Sequence, residues 1–310
     1  MKAIRFHEYG DADVLRLEDA PMPVPGPGEV LIKVHATSVN PVDCAIRAGY
    51  LRAVREFPLP MTLGWDVSGT IAALGEGVTA WKVGDEVYGH PSLSSGGTYA
   101  EFVAVPATVC GRKPSSIDHN HAAAIPLVAL TAWQALFEHA QLTAGQTVLI
   151  QRGAGGVGSY AIQFAKAKGA RVIATASARN LDYLRQLGAE EAIDYNAVRF
   201  EDVVSNVDAV IEGMAGEVRE RSWKTLKPGG ILIALTGAPP TDAMAAERGF
   251  PQKTIWVHPD QAQLATIAGL VDSGKLQTTV EAIVPLAEAA RAHRMVESGH
   301  TRGKVVLRVA

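Results

Sequence analysis

Residues 147–177 read TVLIQRGAGGVGSYAIQFAKAKGARVIATAS, and the organisation of the whole chain follows from this stretch. The apolar run TVLIQ predicts a strand. It leads directly into Gly153, Gly155 and Gly158, which spell GxGxxG with Gly156 and Val157 between them. Val157, Ala161 and Ala165 then recur four residues apart, as one face of a helix requires. A second strand, VIATA, completes a strand–turn–helix–strand unit of about thirty residues, the frame that makes GxGxxG a dinucleotide-binding signal and not a flexible loop. Each glycine has its own expected duty. Gly153 permits a tight turn, Gly155 lets the backbone touch a pyrophosphate with no Cβ in the way, and Gly158 lets the helix pack closely. The phosphates are expected on the helix N-terminus, where unpaired N–H groups and partial positive charge favour an anion.

The end of the second strand distinguishes the two nicotinamide cofactors. A site for NAD places Asp or Glu there to accept hydrogen bonds from the ribose 2'-hydroxyl. Here the chain reads Ala174, Thr175, Ala176, Ser177, Ala178, Arg179, and the next acid along the chain is Asp182, expected in the following helix. Ser177 offers a hydroxyl donor and Arg179 a two-pronged cation, which suit a 2'-phosphate, so NADPH is the expected cofactor. The alternative for Arg179 is a solvated residue near a helix start.

Working outward, apolar runs after Gly145 alternate with polar, helix-compatible segments: TVLIQ, VIATA, EAID, VDAVIEG, ILIAL and TIWVH. This rhythm predicts an α/β fold, a doubly wound parallel-sheet domain of the Rossmann type. Residues 1 to about 117 have a different texture, short valine- and isoleucine-rich runs such as EVLIKVHATSV and DVSGTIAAL with glycine and proline between them, which predicts a β-rich module. In HAAAIPLVALTAWQALFEHA, Pro126 is expected to split one helical pattern into two. Two helical stretches in the tail, 261–272 and 286–297, lead to a final strand, KVVLRV, inferred to return to the first module. The expected division is 1–123 with 259–310, and 124–258.

A chain of 310 residues, 47% hydrophobic, is long enough for two cores. A net charge of −3 provides no concentrated basic face for nucleic acid or an anionic membrane, and no uninterrupted apolar run approaches the roughly 18 residues of a membrane helix. The opening MKAIRFHEYG lacks the apolar stretch of a signal peptide, so a cytoplasmic location is expected. Cys44 and Cys110 are the only cysteines, which excludes a disulfide framework and thiolate-rich metal sites.

The chain resembles the quinone oxidoreductase, zeta-crystallin-like branch of the medium-chain dehydrogenase/reductase superfamily. The likeness runs through SVNPVDCAIRAG, GWDVSGTIAALGEGVTAWKVGDEVYG, GGTYAEFVAV, AAAIPLVALTAWQAL, the glycine segment, LGAEEAIDY, LKPGG and GKVVLRV, in that order. It implies a GroES-like β-rich catalytic domain completed by the tail, with an active site in the cleft beside the nucleotide-binding domain. It also implies that Asn40 and Thr131 lie near the nicotinamide, that Ser177, Arg179 and Tyr195 surround the 2'-phosphate, and that Thr236 and Gly237 follow a strand at the reactive end. Tyr195 reads equally well as a half-buried tyrosine closing the strand in EAIDY. Tyr50, after the NPVD segment, is a candidate proton donor, with an ordinary surface or core tyrosine as the alternative. A homodimer joined at sheet edges, with TIWVH as such an edge, is a further expectation from the resemblance. One departure is Arg152, where relatives often have a small residue; its guanidinium either approaches the pyrophosphate or points to solvent.

The superfamily also contains zinc alcohol dehydrogenases, and catalytic zinc needs three protein ligands. Where those enzymes carry Cys and His, this chain has Asn40 and Trp65, so no metal is expected. His119 and His121 have a spacing that can chelate, but a polar helix start commonly holds solvated histidines. Cys44 reads as a small buried residue, its neighbour Asp43 opposing a thiolate. The expected activity is therefore a zinc-independent, NADPH-dependent hydride transfer to a quinone or a related electron-poor, conjugated carbonyl compound. The alternatives are an enone, enal or enoyl reductase, or a non-catalytic NADPH-binding redox sensor.

Overall fold

The structure, a computed structural model, describes residues 1–92, 96–237, 249 and 251–310. The first part of the chain carries β1 (Lys2–Phe6), β2 (Arg16–Asp19), β3 (Glu29–Val39), α1 (Pro41–Arg47), β4 (Met61–Thr62), β5 (Val67–Leu74), β6 (Glu86–Gly89), β7 (Phe102–Pro106), β8 (Cys110–Arg112) and α2 (His119–Ala123). Next come α3 (Pro126–Trp133), β9 (Thr147–Ile150), α4 (Gly156–Ala167), β10 (Arg171–Ala176), α5 (Leu181–Leu187), β11 (Glu191–Asp194) and α6 (Phe200–Val203). They are followed by β12 (Val207–Glu212), α7 (Gly216–Trp223), β13 (Leu226–Ala234) and β14 (Gln252–Thr254). The tail consists of α8 (Gln261–Asp272), β15 (Val280–Pro285), α9 (Ala289–Glu297) and β16 (Lys304–Arg308). Two compact units result, Met1–Leu130 with His258–Ala310, and Thr131–Val257. The division falls inside α3.

In the first unit, one sheet runs β15-β16-β3-β5-β6-β8, with β7 also on β3, and a smaller sheet runs β2-β1-β4. The terminal strand finds its partner here: β16 lies antiparallel to β3, with Val305 opposite Val39 and Leu307 opposite Thr37. Val305 and Leu307 join Phe6, Ile46 and Tyr99 in one core, while Val30, Ile32, Val87 and Val105 belong to another. Each fully buried aliphatic side chain of this kind contributes about 1.5–3 kcal/mol. The first turn of α1 follows from local chemistry: Asn40 is the extended N-cap, Pro41 lacks a donor where none is needed, and the Asp43 carboxylate accepts the Asn40 N–H at 2.9 Å. Pro126 acts similarly, opening α3 after α2 has ended.

The second unit is a six-stranded sheet in the order β11-β10-β9-β12-β13-β14, with parallel pairing throughout. Counted from β9 this is 3-2-1-4-5-6, the doubly wound arrangement whose switch point lies between β9 and β12. α4 packs on β9 and β10, and α7 on β12 and β13. After Trp133 the chain makes a wider π-helical stretch, Gln134–His139, and Trp133, Phe137 and Phe164 meet edge to face with Trp133 centroids 4.8 and 5.3 Å from the other two. The edge strand differs from the expected TIWVH, of which only Thr254 is in β14. The physical reason is its neighbour: Thr254 pairs with Ala234, where β13 itself ends, so there is no strand left for Ile255–His258 to follow.

Candidate functional site

The glycine loop spans the gap from β9 to α4. A Cβ on Gly158 would lie 2.4 Å from the Arg152 carbonyl oxygen and 2.8 Å from Gly153 Cα, so this glycine is required for close packing of the helix on the loop. On Gly155, which caps α4, the nearest atom to a Cβ is 3.4 Å away, which leaves its face open to a ligand. Gly156 and Val157 form the first turn of α4, so their N–H groups lie among the helix's unpaired donors. Gly153 departs from expectation. It has no positive φ, and the left-handed residue of the turn is Arg152, at φ 56°. Gly153 is needed because a Cβ there would meet Leu184 at 2.9 Å and Ala174 at 3.0 Å, a packing constraint and not a conformational one.

The sheet brings two of the three residues implied for the 2'-phosphate side by side, with Arg179 two residues further along the chain. Ala176 is in register with Asp194 across β10 and β11, so Ser177 and Tyr195 leave adjacent strand ends side by side, and Tyr195 N donates to Ala176 O at 3.2 Å. Ser177 is half-buried, and Arg179 and Tyr195 are exposed. Asp194, the acid ending the adjoining strand, has Oδ1 engaged by the Asn196 N–H at 3.0 Å, and Asp182 is paired with Arg185 at 2.7 Å.

Thr236 and Gly237 follow β13, and Gly237 takes φ 83°, a conformation glycine adopts without penalty. Sequence reasoning missed two of their neighbours. Glu212, at the end of β12 and fully buried, accepts Arg219 Nε at 2.6 Å, and Arg219 Nη2 donates to the Thr236 carbonyl. The available signal was a carboxylate closing a strand whose preceding three residues, Ala209, Val210 and Ile211, are apolar.

In the first unit, Asn40 is completely buried, and its side chain belongs to a polar group within the core. Its amide nitrogen donates to Asp66 Oδ2 at 2.8 Å, its oxygen accepts Lys304 Nζ, and Lys304 also donates to the Val39 carbonyl at 3.0 Å. Ser38 and the Leu127 N–H complete the shell of Asp66. Burial pulls the Lys304 amine below its usual range, against the pull of Asp66 and Asp43. Burial lifts Asp43 to about 7, opposed by the N–H groups of Asn40 and Gly64 and by Lys304. Thr131 is buried on α3. Tyr50 is 80% exposed and lines a surface hollow with Asp11, Arg47 and Arg294. Burial, then Asp43, holds the Cys44 thiol well above the ordinary range, and burial pushes Cys110 up to about 12. His119 bonds Ser68 Oγ at 2.8 Å and Glu86 at 3.2 Å, while His121 turns to Asp118 at 2.7 Å, so the two do not converge. Among the described residues, no three His, Cys, Asp or Glu side chains gather as metal ligands do.

Two family profiles match the chain: "Alcohol dehydrogenase GroES-like domain" over residues 26–115 and "Zinc-binding dehydrogenase" over residues 187–307. An Arabidopsis thaliana relative named NADPH-dependent alkenal/one oxidoreductase, chloroplastic, is 37% identical over 320 residues, covering 99% of this chain and 79% of the relative. The solved quinone oxidoreductase of Coxiella burnetii superposes with a TM-score of 0.92 at 36% identity, covering 100% of this chain and 99% of that one. The chain belongs to the medium-chain dehydrogenase/reductase superfamily, in its quinone oxidoreductase branch. The Escherichia coli quinone oxidoreductase, solved as a complex with NADPH, has a TM-score of 0.90 at 26% identity, covering 100% of both chains. The Lys304–Asn40–Asp66 group is a feature that sequence reasoning missed. A lysine inside the strand KVVLRV was its one sequence signal.

Proposed function

We propose that this chain is an NADPH-dependent, metal-independent reductase of quinones or other electron-poor, conjugated carbonyl compounds. The observation that carries the reading is one contiguous surface of the nucleotide-binding sheet. A glycine-lined helix entrance with an open face at Gly155 adjoins two neighbouring strand ends, one followed by Ser177 and Arg179 and the other by Tyr195. The first receives a pyrophosphate, and the second receives the 2'-phosphate that distinguishes NADPH. When bound, NADPH supplies the hydride, so the protein's share is binding, alignment and exclusion of water.

In the first unit, Lys304 and Asp66 hold the Asn40 amide in one fixed orientation. Proton return to the enolate or hydroquinone anion is assigned to water or a nearby hydroxyl. Metal independence rests on the residues at this position. Asn40 and Trp65 are poor zinc ligands, and the oxygens of Asn40 and Asp66 already face an ammonium, which would repel a divalent ion. Quinones are favoured by the branch to which the chain belongs, and conjugated aldehydes and ketones by the Arabidopsis relative. Steady-state rates over a panel of both acceptor classes, with metal analysis of the same preparation, test the reading. NADPH oxidation by at least one class without stoichiometric zinc is expected. Inertness toward both, or zinc required for turnover, would overturn it.

A cytoplasmic homodimer joined through the β14 edge is part of the same proposal. The dimer is supported by the exposed Trp256 beside that strand, and among the described residues no helix is long and apolar enough to cross a membrane. Light scattering of wild type and Trp256→Ser tests the dimer.

A further inference from the structure

One face of α7 ties together the carboxyl ends of four strands. Arg219 and Ser222, three residues apart on that helix, lie on one side of it. Ser222 Oγ accepts Gln151 Nε2 at 3.2 Å, just after β9, and Gln151 Oε1 accepts the Thr175 hydroxyl of β10 at 2.7 Å. Arg219 reaches Glu212 at the end of β12 and the Thr236 carbonyl after β13. The Glu212 carboxylate also accepts the N–H groups of Met214 and, at 2.7 Å, Ala215. Ala215 is held at φ 59°, ψ −171°, a region that residues with a Cβ rarely occupy, and Met214 beside it is half exposed. A buried ion pair adds little stability over apolar residues of similar volume. This pair instead fixes the shape of two loops, 213–216 and 236–237, and Gly237 leaves no spare room above the guanidinium, since a Cβ there would lie 3.2 Å from Arg219 Nη1.

The position of these loops gives that shape a use. If the 2'-phosphate sits at the end of β10, the adenosine half lies on that side of the glycine loop. The other half then crosses the switch point over the ends of β12 and β13. We propose that Glu212 and Arg219 are positioning residues that set these two loops to receive the nicotinamide half of the dinucleotide. The inference deepens the NADPH reading and rests on it.

The test compares two ligands in titrations of wild type, Arg219→Lys and Glu212→Gln. NADPH spans both halves of the site, and 2',5'-ADP reports on the adenosine half alone. Arg219→Lys keeps the charge but loses the fork, and Glu212→Gln keeps an acceptor for the loop, so at least one variant retains the fold, which circular dichroism checks. We expect affinity for NADPH to fall by about tenfold or more while affinity for 2',5'-ADP stays within about twofold. Unchanged NADPH binding, or equal loss of both ligands as a general structural role would give, overturns the inference. Failure of wild type to bind either ligand overturns the NADPH reading itself, and the inference falls with it.

Discussion

Arg152 holds a left-handed backbone at the entrance to the glycine loop, exposed and without the freedom glycine has there. Such a residue carries a penalty of about 1–2 kcal/mol, and glycine loses about 0.5–1 kcal/mol in chain entropy. Arg152→Gly is therefore predicted to stabilise the protein by about 0.5–1 kcal/mol in urea unfolding. Its affinity for NADPH falls if the guanidinium meets the pyrophosphate; a drop in stability would contradict the strain argument. Arg179→Ala is predicted to raise KM for NADPH by roughly 10- to 100-fold and leave KM for NADH nearly unchanged, as loss of a charge-assisted bond to the 2'-phosphate would. His293 is buried against Cys44 and Tyr99, and burial, then Arg47, lowers its pKa to about 3. The unfolded chain takes up this proton near the ordinary imidazole value of about 6.5 and the folded chain refuses it. Protonation therefore favours unfolding progressively as pH falls from about 6.5 toward 3, at roughly 1 kcal/mol per pH unit. Asp43 has the opposite sign: raised to about 7, its contribution is complete below the ordinary carboxylate range and lost as pH rises through about 7. His293→Phe should flatten the acid limb of urea midpoints measured from about pH 4 to 7. An unaltered limb would show that other groups set it.

At the level of elements, the strand, turn and helix of residues 147–177 were readable because each step has a local cause: β-branched residues, glycine where packing forbids a Cβ, and apolar spacing of four. The role of Gly153 was misread because φ does not follow from composition, and a packing glycine and a turn glycine are the same letter. The edge strand was displaced from TIWVH to Gln252–Thr254 because its length is set by the strand beside it, a non-local constraint that an apolar run cannot express. The destination of Lys304 was hidden for a related reason. A strand of pattern KVVLRV reads as apolar with polar ends, and only the pairing of β16 with β3 brings that lysine to Asn40 and Asp66. Lys304→Met is predicted to destabilise by about 3–5 kcal/mol, because it leaves a buried carboxylate without its cation. Adding Asp66→Asn should recover part of that loss in a double-mutant cycle, and strict additivity would contradict direct coupling.

For the whole molecule, the first unit is assembled from both ends of the chain, with β16 placed between β3 and β15, so its core depends on the last residues as much as on the first. The change of texture near residue 118 and the unpaired final strand made this arrangement legible. The polar group around Asp66 was not, because residues from distant segments meet there only after folding. On this reading, the carboxyl ends of the nucleotide-binding sheet are built for a dinucleotide bearing a 2'-phosphate that itself reduces the acceptor. The most direct measurement is the ratio of kcat/KM for NADPH to that for NADH with a simple quinone or enone as acceptor. A ratio of about tenfold or more in favour of NADPH is expected. Equal use of the two cofactors, or a preference for NADH, would contradict it.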